Sequence, residues 1–279
     1  MNRSERRRQD AIQGKSGHAQ DSFAIHNLLE QGKRHHQAGQ LAEAERSYQL
    51  ALNMAPGHPE ALHLLGLLAY RVGSFDQAID LIRHAIDGTP NSPLYWFNLG
   101  VVTQRAGKPE DAVRAYERAI DLNSKYVDAL INLGNVLKDQ HRLAEAVETY
   151  RKALALNPAH ADTHNNLGVA LKEQNALREA IAAYREAIRL KPAHFEAWNN
   201  LGLALMETGA SDEAIAAFRQ ALTIVPDSSK ALYNLGIAAM WKGDHTGAIA
   251  YFSQVAERKH NHGGPVQETG LFQIGRAHV

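Results

Sequence analysis

The sequence repeats itself every 34 residues, and this repetition constrains the fold more than any other feature. Glycine returns at seven positions without a miss: Gly32, Gly66, Gly100, Gly134, Gly168, Gly202 and Gly236. Alanine does the same at Ala44, Ala78, Ala112, Ala146, Ala180, Ala214 and Ala248. Seven repeats occupy residues 25–262 of the 279-residue chain. We therefore expect an array of one small motif rather than one or two globular domains.

The other columns of the repeat predict a helix–turn–helix motif. Apolar residues within a repeat stand three or four apart, as in Leu130, Leu133 and Leu137, which is helical periodicity. Midway through each repeat comes a residue that tolerates positive φ, as a helix end followed at once by another helix requires. These residues are Gly39, Gly73, Gly107, His141, Asn175, Gly209 and Gly243. A proline near the end of most repeats stops the second helix.

A glycine inside a helix costs about 0.5–1 kcal/mol relative to alanine, so seven of them need a compensating contact. We expect each glycine to face the alanine twelve residues later, which allows two helix backbones to approach closely. The bulky residue four positions beyond that alanine is then expected to fill the groove towards the neighbouring repeat. This column reads Tyr48, Ile82, Tyr116, Tyr150, Tyr184, Phe218 and Phe252.

The third and sixth repeats carry the pattern W-x2-L-G followed by A-x3-[YF], as in Trp96, Leu99, Gly100, Ala112 and Tyr116. This pattern resembles the tetratricopeptide repeat. The resemblance implies an all-α, right-handed superhelical solenoid in which the first helix of each repeat lines a concave groove. Pentatricopeptide repeats, which bind RNA, have a similar period, but the glycine, alanine and proline columns and the absence of a basic excess disfavour them.

The predicted boundaries follow from the period. The repeats span residues 25–58, 59–92, 93–126, 127–160, 161–194, 195–228 and 229–262. A basic leader, residues 1–24, precedes them, and a tail, residues 263–279, follows. We expect the leader to be disordered and not to be an export signal, since it has no apolar stretch. A short basic arm that contacts an acidic surface or RNA is the alternative.

An asparagine precedes the Leu-Gly pair in five consecutive repeats: Asn98, Asn132, Asn166, Asn200 and Asn234. If first helices face the groove, these side chains form a row there, which we call the asparagine row. A carboxamide both donates and accepts, so the row can pair with the backbone of an extended peptide. In this feature the array resembles the repeat domain of O-linked N-acetylglucosamine transferases, where such a row grips substrate peptide. The alternative is that each asparagine bonds to a neighbouring helix.

Five further residues flank the row and are candidates for the same groove: Asn165, Asn199, Asn135, Lys138 and Lys172. The two lysines would attract an acidic peptide, although solvated lysines on a helix face are the commoner case. Trp96, Trp198 and Tyr233 are candidate side-chain contacts, with core packing as the alternative for the two tryptophans.

Composition and motifs argue against most other chemistry. The 30 Lys+Arg balance 30 Asp+Glu, so the excess of positive charge typical of a nucleic-acid binder is missing. The chain has no cysteine, which excludes disulfides and thiolate catalysis and fits a cytoplasmic location. Nor does it contain the usual short hydrolase, metalloprotease or nucleotide-binding motifs. Several of the 15 histidines share one turn position, so we expect no metal, no cofactor and no catalysis in residues 25–262.

The ends of the chain leave the function open. The last six residues, IGRAHV, resemble the translation of a sequencing-adapter oligonucleotide, which predicts that the natural protein continues beyond about Phe272; a genuine tail is the alternative. The first hypothesis is a cytoplasmic scaffold that binds a peptide or protein segment and contacts neither nucleic acid nor membrane. The second is the recognition part of a truncated glycosyl-, methyl- or sulfotransferase. The third is self-association through an uncapped seventh repeat.

Overall fold

The computed structural model describes residues 21–261, and every regular element in that range is an α-helix. The helices alternate with short turns in the predicted helix–turn–helix order, so the all-α repeat architecture is confirmed. Residues 21–24 were assigned to the leader but belong to the first described helix. The rest of the leader, residue 262 and the tail lie outside the described residues.

The chain divides into two compact units, Met1–Ala159 and His160–Val279, which we call the N-terminal and C-terminal units. In the N-terminal unit the helices are α1 (21–37), α2 (Leu41–Met54), α3 (Pro59–Arg71), α4 (Phe75–Gly88), α5 (Pro93–Arg105), α6 (Pro109–Leu122), α7 (Val127–Asp139) and α8 (Leu143–Leu156). In the C-terminal unit they are α9 (Ala161–Glu173), α10 (Leu177–Leu190), α11 (Phe195–Glu207), α12 (Ser211–Ile224), α13 (Ser229–Trp241) and α14 (His245–Asn261). Odd-numbered helices are the first helices of the repeats, and even-numbered helices are the second helices.

The turn inside each repeat is built around a residue with positive φ, as the sequence predicts. Five of these seven residues are glycines, while His141 and Asn175 adopt φ values of 57° and 63°. After α3, the N–H of Gly73 donates to the carbonyl of Tyr70 and that of Ser74 to Ala69, at 3.0 and 2.9 Å. These two bonds satisfy carbonyls at the end of the first helix while the chain reverses into the second.

Histidines at the start of first helices act as N-caps. The Nδ1 atoms of His58, His160 and His194 accept from the backbone N–H three residues later, at 3.3, 3.2 and 3.3 Å. Ser92 and Ser228 provide the same bond for α5 and α13. The histidine column therefore recurs because each first helix has unpaired N–H groups at its start.

The mid-helix glycines have a different partner from the one expected. A Cβ added to Gly134 would lie 2.6 Å from Cε1 of Tyr150, in the same repeat, and the other six glycines likewise face the bulky residue sixteen positions on. The nearest neighbour of each glycine is therefore this bulky residue of its own repeat, rather than the alanine twelve positions on; at Gly66 the carbonyl of Ala78 is also close, at 3.3 Å. The ring crosses directly over the glycine because no side chain separates it from the first-helix backbone.

Replacing Gly134 by alanine tests this contact. We expect the new Cβ to displace the fully buried Tyr150 ring and to destabilise the fold by about 1–3 kcal/mol, despite alanine's better helix propensity. Thermal melting followed by circular dichroism measures the change. Gly57→Ala is the control, since a Cβ there meets nothing within 4 Å. A Gly134→Ala protein as stable as the parent would contradict this packing.

The N-cap assignment predicts a pair of outcomes at His160. His160→Ala is expected to lower stability by about 0.5–2 kcal/mol, because the N–H and the buried hydroxyl of Thr163 both lose the imidazole as a hydrogen-bond partner. His160→Ser is expected to restore most of this loss, as serine caps two other first helices of this chain. A His160→Ala protein that melts at the temperature of the parent would show that the imidazole does not act as a cap.

Candidate functional site

The asparagine row lies on the face of the first helices that the second helices leave uncovered. In α9 this face contains Asp162, Asn166, Val169 and Glu173, which are exposed or half-buried, whereas Leu167 on the other side is buried. Asn98, Asn132 and Asn200 are half-buried at the equivalent positions, and Asn234 is 9% exposed. We call this surface the first-helix face and describe it separately for each unit.

In the C-terminal unit, the amide groups of the row also join successive first helices. Asn200 donates from Nδ2 to Oδ1 of Asn165 at 3.0 Å, and Asn234 donates to Oδ1 of Asn199 at 2.9 Å. Asn165 and Asn199 are only 7% and 1% exposed. The structure therefore places these two flanking candidates between the helices, as acceptors for the row, rather than in an open groove.

In the N-terminal unit, a histidine takes the place of the buried asparagine. Nδ2 of Asn98 lies 2.8 Å from Nε2 of His63, which is 4% exposed and stacks on the Tyr95 ring at a centroid distance of 4.4 Å. Burial lowers the pKa of His63 to about 4, so the ring is neutral near pH 7 and its Nε2 accepts from the amide. Sequence reasoning missed His63, although it stands at the same repeat position as Asn165 and Asn199.

Two tyrosine hydroxyls of the second helices form hydrogen bonds with polar side chains of the first helices. The Tyr116 hydroxyl donates to Oε1 of Gln104 at 2.9 Å and also bonds to the Asn132 side chain. The Tyr150 hydroxyl donates to Oδ1 of Asn135 at 2.7 Å. Asn132 and Asn135 therefore both take part in holding a buried tyrosine in place.

The two lysine candidates are ion-paired. Nζ of Lys138 lies 2.5 Å from a carboxylate oxygen of Asp139, and Nζ of Lys172 lies 2.8 Å from Oε1 of Glu207. Each lysine thus has a neighbouring negative charge, which reduces the attraction for an acidic peptide that the sequence alone suggested.

Two of the aromatic candidates have structural partners. The indole N–H groups of Trp96 and Trp198 donate to the carbonyls of Pro90 and Pro192 at 2.8 and 2.9 Å. These bonds tie the first helix to the turn before it. Tyr233 is 41% exposed, and Trp241, which sequence reasoning did not select, is 61% exposed.

Residues 21–261 show neither a metal site nor a membrane-spanning helix. Among residues 21–261, no three His, Asp or Glu side chains converge as a metal site would require. No helix in the same range has the length and hydropathy needed to cross a bilayer.

Family models for the tetratricopeptide repeat match most of the chain. They cover residues 35–99 and 205–267, residues 165–229, and, for a model described as TPR repeat, residues 105–141 and 134–175. No curated protein matches significantly.

Solved structures match as well. The chain is 26% identical to the MamA protein, with a TM-score of 0.58 over 63% of this chain and 98% of that one. YrrB, described as a TPR protein with an unusual peptide-binding site, is 23% identical, with a TM-score of 0.56 over 65% and 93%. PilF of Pseudomonas aeruginosa is 22% identical, with a TM-score of 0.61 over 75% and 93%. From the repeat geometry and these matches together, the chain belongs to the tetratricopeptide repeat family.

Proposed function

We propose that this protein is a non-catalytic scaffold that binds an extended segment of a partner protein on its first-helix face. The observation that carries the proposal is the row of amides on that face, at Asn98 and Asn132 in the N-terminal unit and at Asn166, Asn200 and Asn234 in the C-terminal unit. The peptide-binding site described for YrrB supports a role of this kind for the same fold.

The internal hydrogen bonds of the row define how it would contact a peptide. An asparagine side chain offers two N–H donors and an acceptor oxygen with two lone pairs. Asn200 and Asn234 each use one N–H to bond to the preceding first helix. The bond fixes the orientation of each amide, and the second N–H and the carbonyl oxygen pair with backbone groups of the ligand. A side chain held in place loses less entropy on binding than a free one.

In this mode of binding the protein contacts the backbone of the peptide more than its side chains. The asparagine row of O-linked N-acetylglucosamine transferases, which this row resembles, grips substrate peptide. The neutral overall charge supports a protein partner over a nucleic acid, and the cysteine-free sequence supports a cytoplasmic location. The recognition part of a transferase is a separate proposal, because it rests on the leader and the tail as well as on the asparagine row, and the sequence motifs of both ends lie outside the described residues.

Alanine substitution of the row tests the proposal. Asn132, Asn166 and Asn200 are replaced together, and helicity is checked by circular dichroism. For peptides selected from a displayed random library, we expect the triple variant to raise the Kd about tenfold or more, because three backbone contacts are lost.

The matched control replaces three exposed amides of second helices, Gln49, Asn53 and Gln220, by alanine. Calorimetric titration of both variants with the same peptides makes the comparison. Unchanged affinity in the row variant, at intact helicity, would leave these asparagines with a structural role alone.

Self-association is a second candidate, and the exposed apolar side chains of the seventh repeat favour it. The Tyr233 side chain is 41% exposed, whereas its counterpart one repeat earlier, Asn199, is 1% exposed. Ile249, on α14, is 67% exposed. A second copy that covers this surface would remove apolar area from water.

Sedimentation equilibrium over a hundredfold concentration range measures this association. We expect the average mass of the parent protein to rise with concentration, and Ile249→Glu to abolish the rise because a buried carboxylate is unfavourable. Leu50→Glu, at a 46% exposed site on α2, is the control. A parent protein that stays monomeric throughout would remove this candidate.

A further inference from the structure

The last residues of the three first helices in the C-terminal unit form a second row beside the asparagines. Helices α9, α11 and α13 end at Glu173, Glu207 and Trp241, which stand 34 residues apart and so occupy equivalent positions. Both glutamates are exposed, and so is Trp241, at 61%. We call these three residues the end row. The N-terminal unit has Gln37, Arg71, Arg105 and Asp139 at the equivalent positions, so this combination of residues is specific to the C-terminal unit.

The end row attracts positive charge for two reasons. A helix C-terminus carries a partial negative charge from its unpaired carbonyls, and Glu173 and Glu207 each add a full charge at such an end. Lys172 pairs with Glu207 at 2.8 Å and cancels one of these charges, which leaves the group with a net charge of about −1. An indole face such as that of Trp241 binds guanidinium and ammonium groups through its π-electrons.

A buried hydroxyl next to the end row lacks a partner. The Tyr184 side chain is fully buried, and its hydroxyl has no hydrogen bond among the described residues. Burial, together with the nearby charges of Glu173 and Glu207, raises the pKa of this hydroxyl, so it stays protonated and able to donate.

The hydroxyl of Tyr48, at the same repeat position, also lacks a partner within residues 21–261, but the carboxylates near it, Glu30 and Glu60, are both paired with Lys33. The other two tyrosines of this column differ from Tyr184. Tyr116 and Tyr150 donate to Gln104 and Asn135 of their own first helices. In the repeat of Tyr184 the equivalent positions hold Lys172 and Val169, and neither side chain can accept a hydrogen bond. The Tyr184 hydroxyl is thus an unused donor near the carboxylates of Glu173 and Glu207.

We propose that the C-terminal unit recognises a basic segment, an extended peptide whose arginine or lysine side chains bind Glu173 and Glu207 and lie against Trp241, while the Tyr184 hydroxyl donates to a carbonyl of its backbone. The inference rests on the proposed function, since it assumes that the peptide lies on the first-helix face. It adds the chemical class of the ligand, which the asparagine row alone does not select.

The geometry of the asparagine row agrees with this choice. Asn200 and Asn234 direct one N–H each into the fold, towards Asn165 and Asn199. Their carbonyl oxygens therefore contribute acceptors to a face that already carries two carboxylates. A ligand rich in donors, as a basic peptide is, complements such a surface.

The test uses three fluorescein-labelled nine-residue peptides in which every second residue is glycine and the others are all arginine, all glutamine or all glutamate. Fluorescence anisotropy with the full chain gives their affinities at low and high salt. We expect the arginine peptide to bind about tenfold tighter than the glutamine peptide, the glutamate peptide to bind most weakly, and salt to reduce the difference.

Substitutions locate the effect. Glu173→Gln combined with Glu207→Gln is expected to weaken the arginine peptide about tenfold, and Trp241→Leu about threefold. Tyr184→Phe is compatible with the fold, since Phe218 occupies the equivalent position. We expect this variant to bind each of the binding peptides about threefold more weakly. The matched control is Glu186→Gln combined with Glu213→Gln. These two glutamates lie on second helices and form ion pairs with arginines of this chain.

Two results would overturn the inference, and they separate it from the proposed function. If the glutamine or glutamate peptide binds as tightly as the arginine peptide, and the asparagine variant still weakens binding, the preference for a basic ligand is wrong while the peptide-binding scaffold stands. If none of the three peptides nor any library peptide binds, both proposals fail together.

Discussion

A bulky side chain that lies on a glycine holds each repeat together, and in six of the seven repeats that side chain is an aromatic ring. The first helix approaches its second helix closely enough that one methyl group on the glycine would overlap the ring, as at Gly134 and Tyr150. Ring burial removes a large apolar surface from water and compensates the low helix propensity of the glycine. Because the contact recurs every 34 residues, it sets the same helix–helix geometry in each repeat and gives the first helices of each unit a shared exposed face.

The candidate site depends on this geometry. Neighbouring first helices in each unit contact one another. Each bonded amide of the row therefore reaches a residue of the preceding repeat, 35 positions earlier in the chain. Asn98 meets His63 in this way, and Asn200 meets Asn165. The same amides that stabilise the stack are therefore the ones that we propose as ligand contacts. Their internal bonds restrict the rotation of the amide groups.

Much of the fold was accessible from the sequence because its causes are local. Positive φ at His141 and Asn175 follows from turn chemistry, and the helical pattern follows from periodicity. The partner of the glycine was not accessible, since it depends on the angle at which two helices cross. Nor could the burial of Asn165 and Asn199 be predicted, because it depends on how far one first helix is shifted along its neighbour. The pattern of 34 residues shows equivalent positions, but the contacts between repeats join residues 35 apart.

We assign the binding function to the first-helix face, and side-chain amide resonances report on this assignment directly. Addition of a peptide that binds to the ¹⁵N-labelled chain is predicted to shift the Nδ2 resonances of Asn166, Asn200 and Asn234, while that of Asn53 on α2 stays in place. Shifts confined to side chains of the second helices, with the asparagine row unchanged, would contradict this assignment.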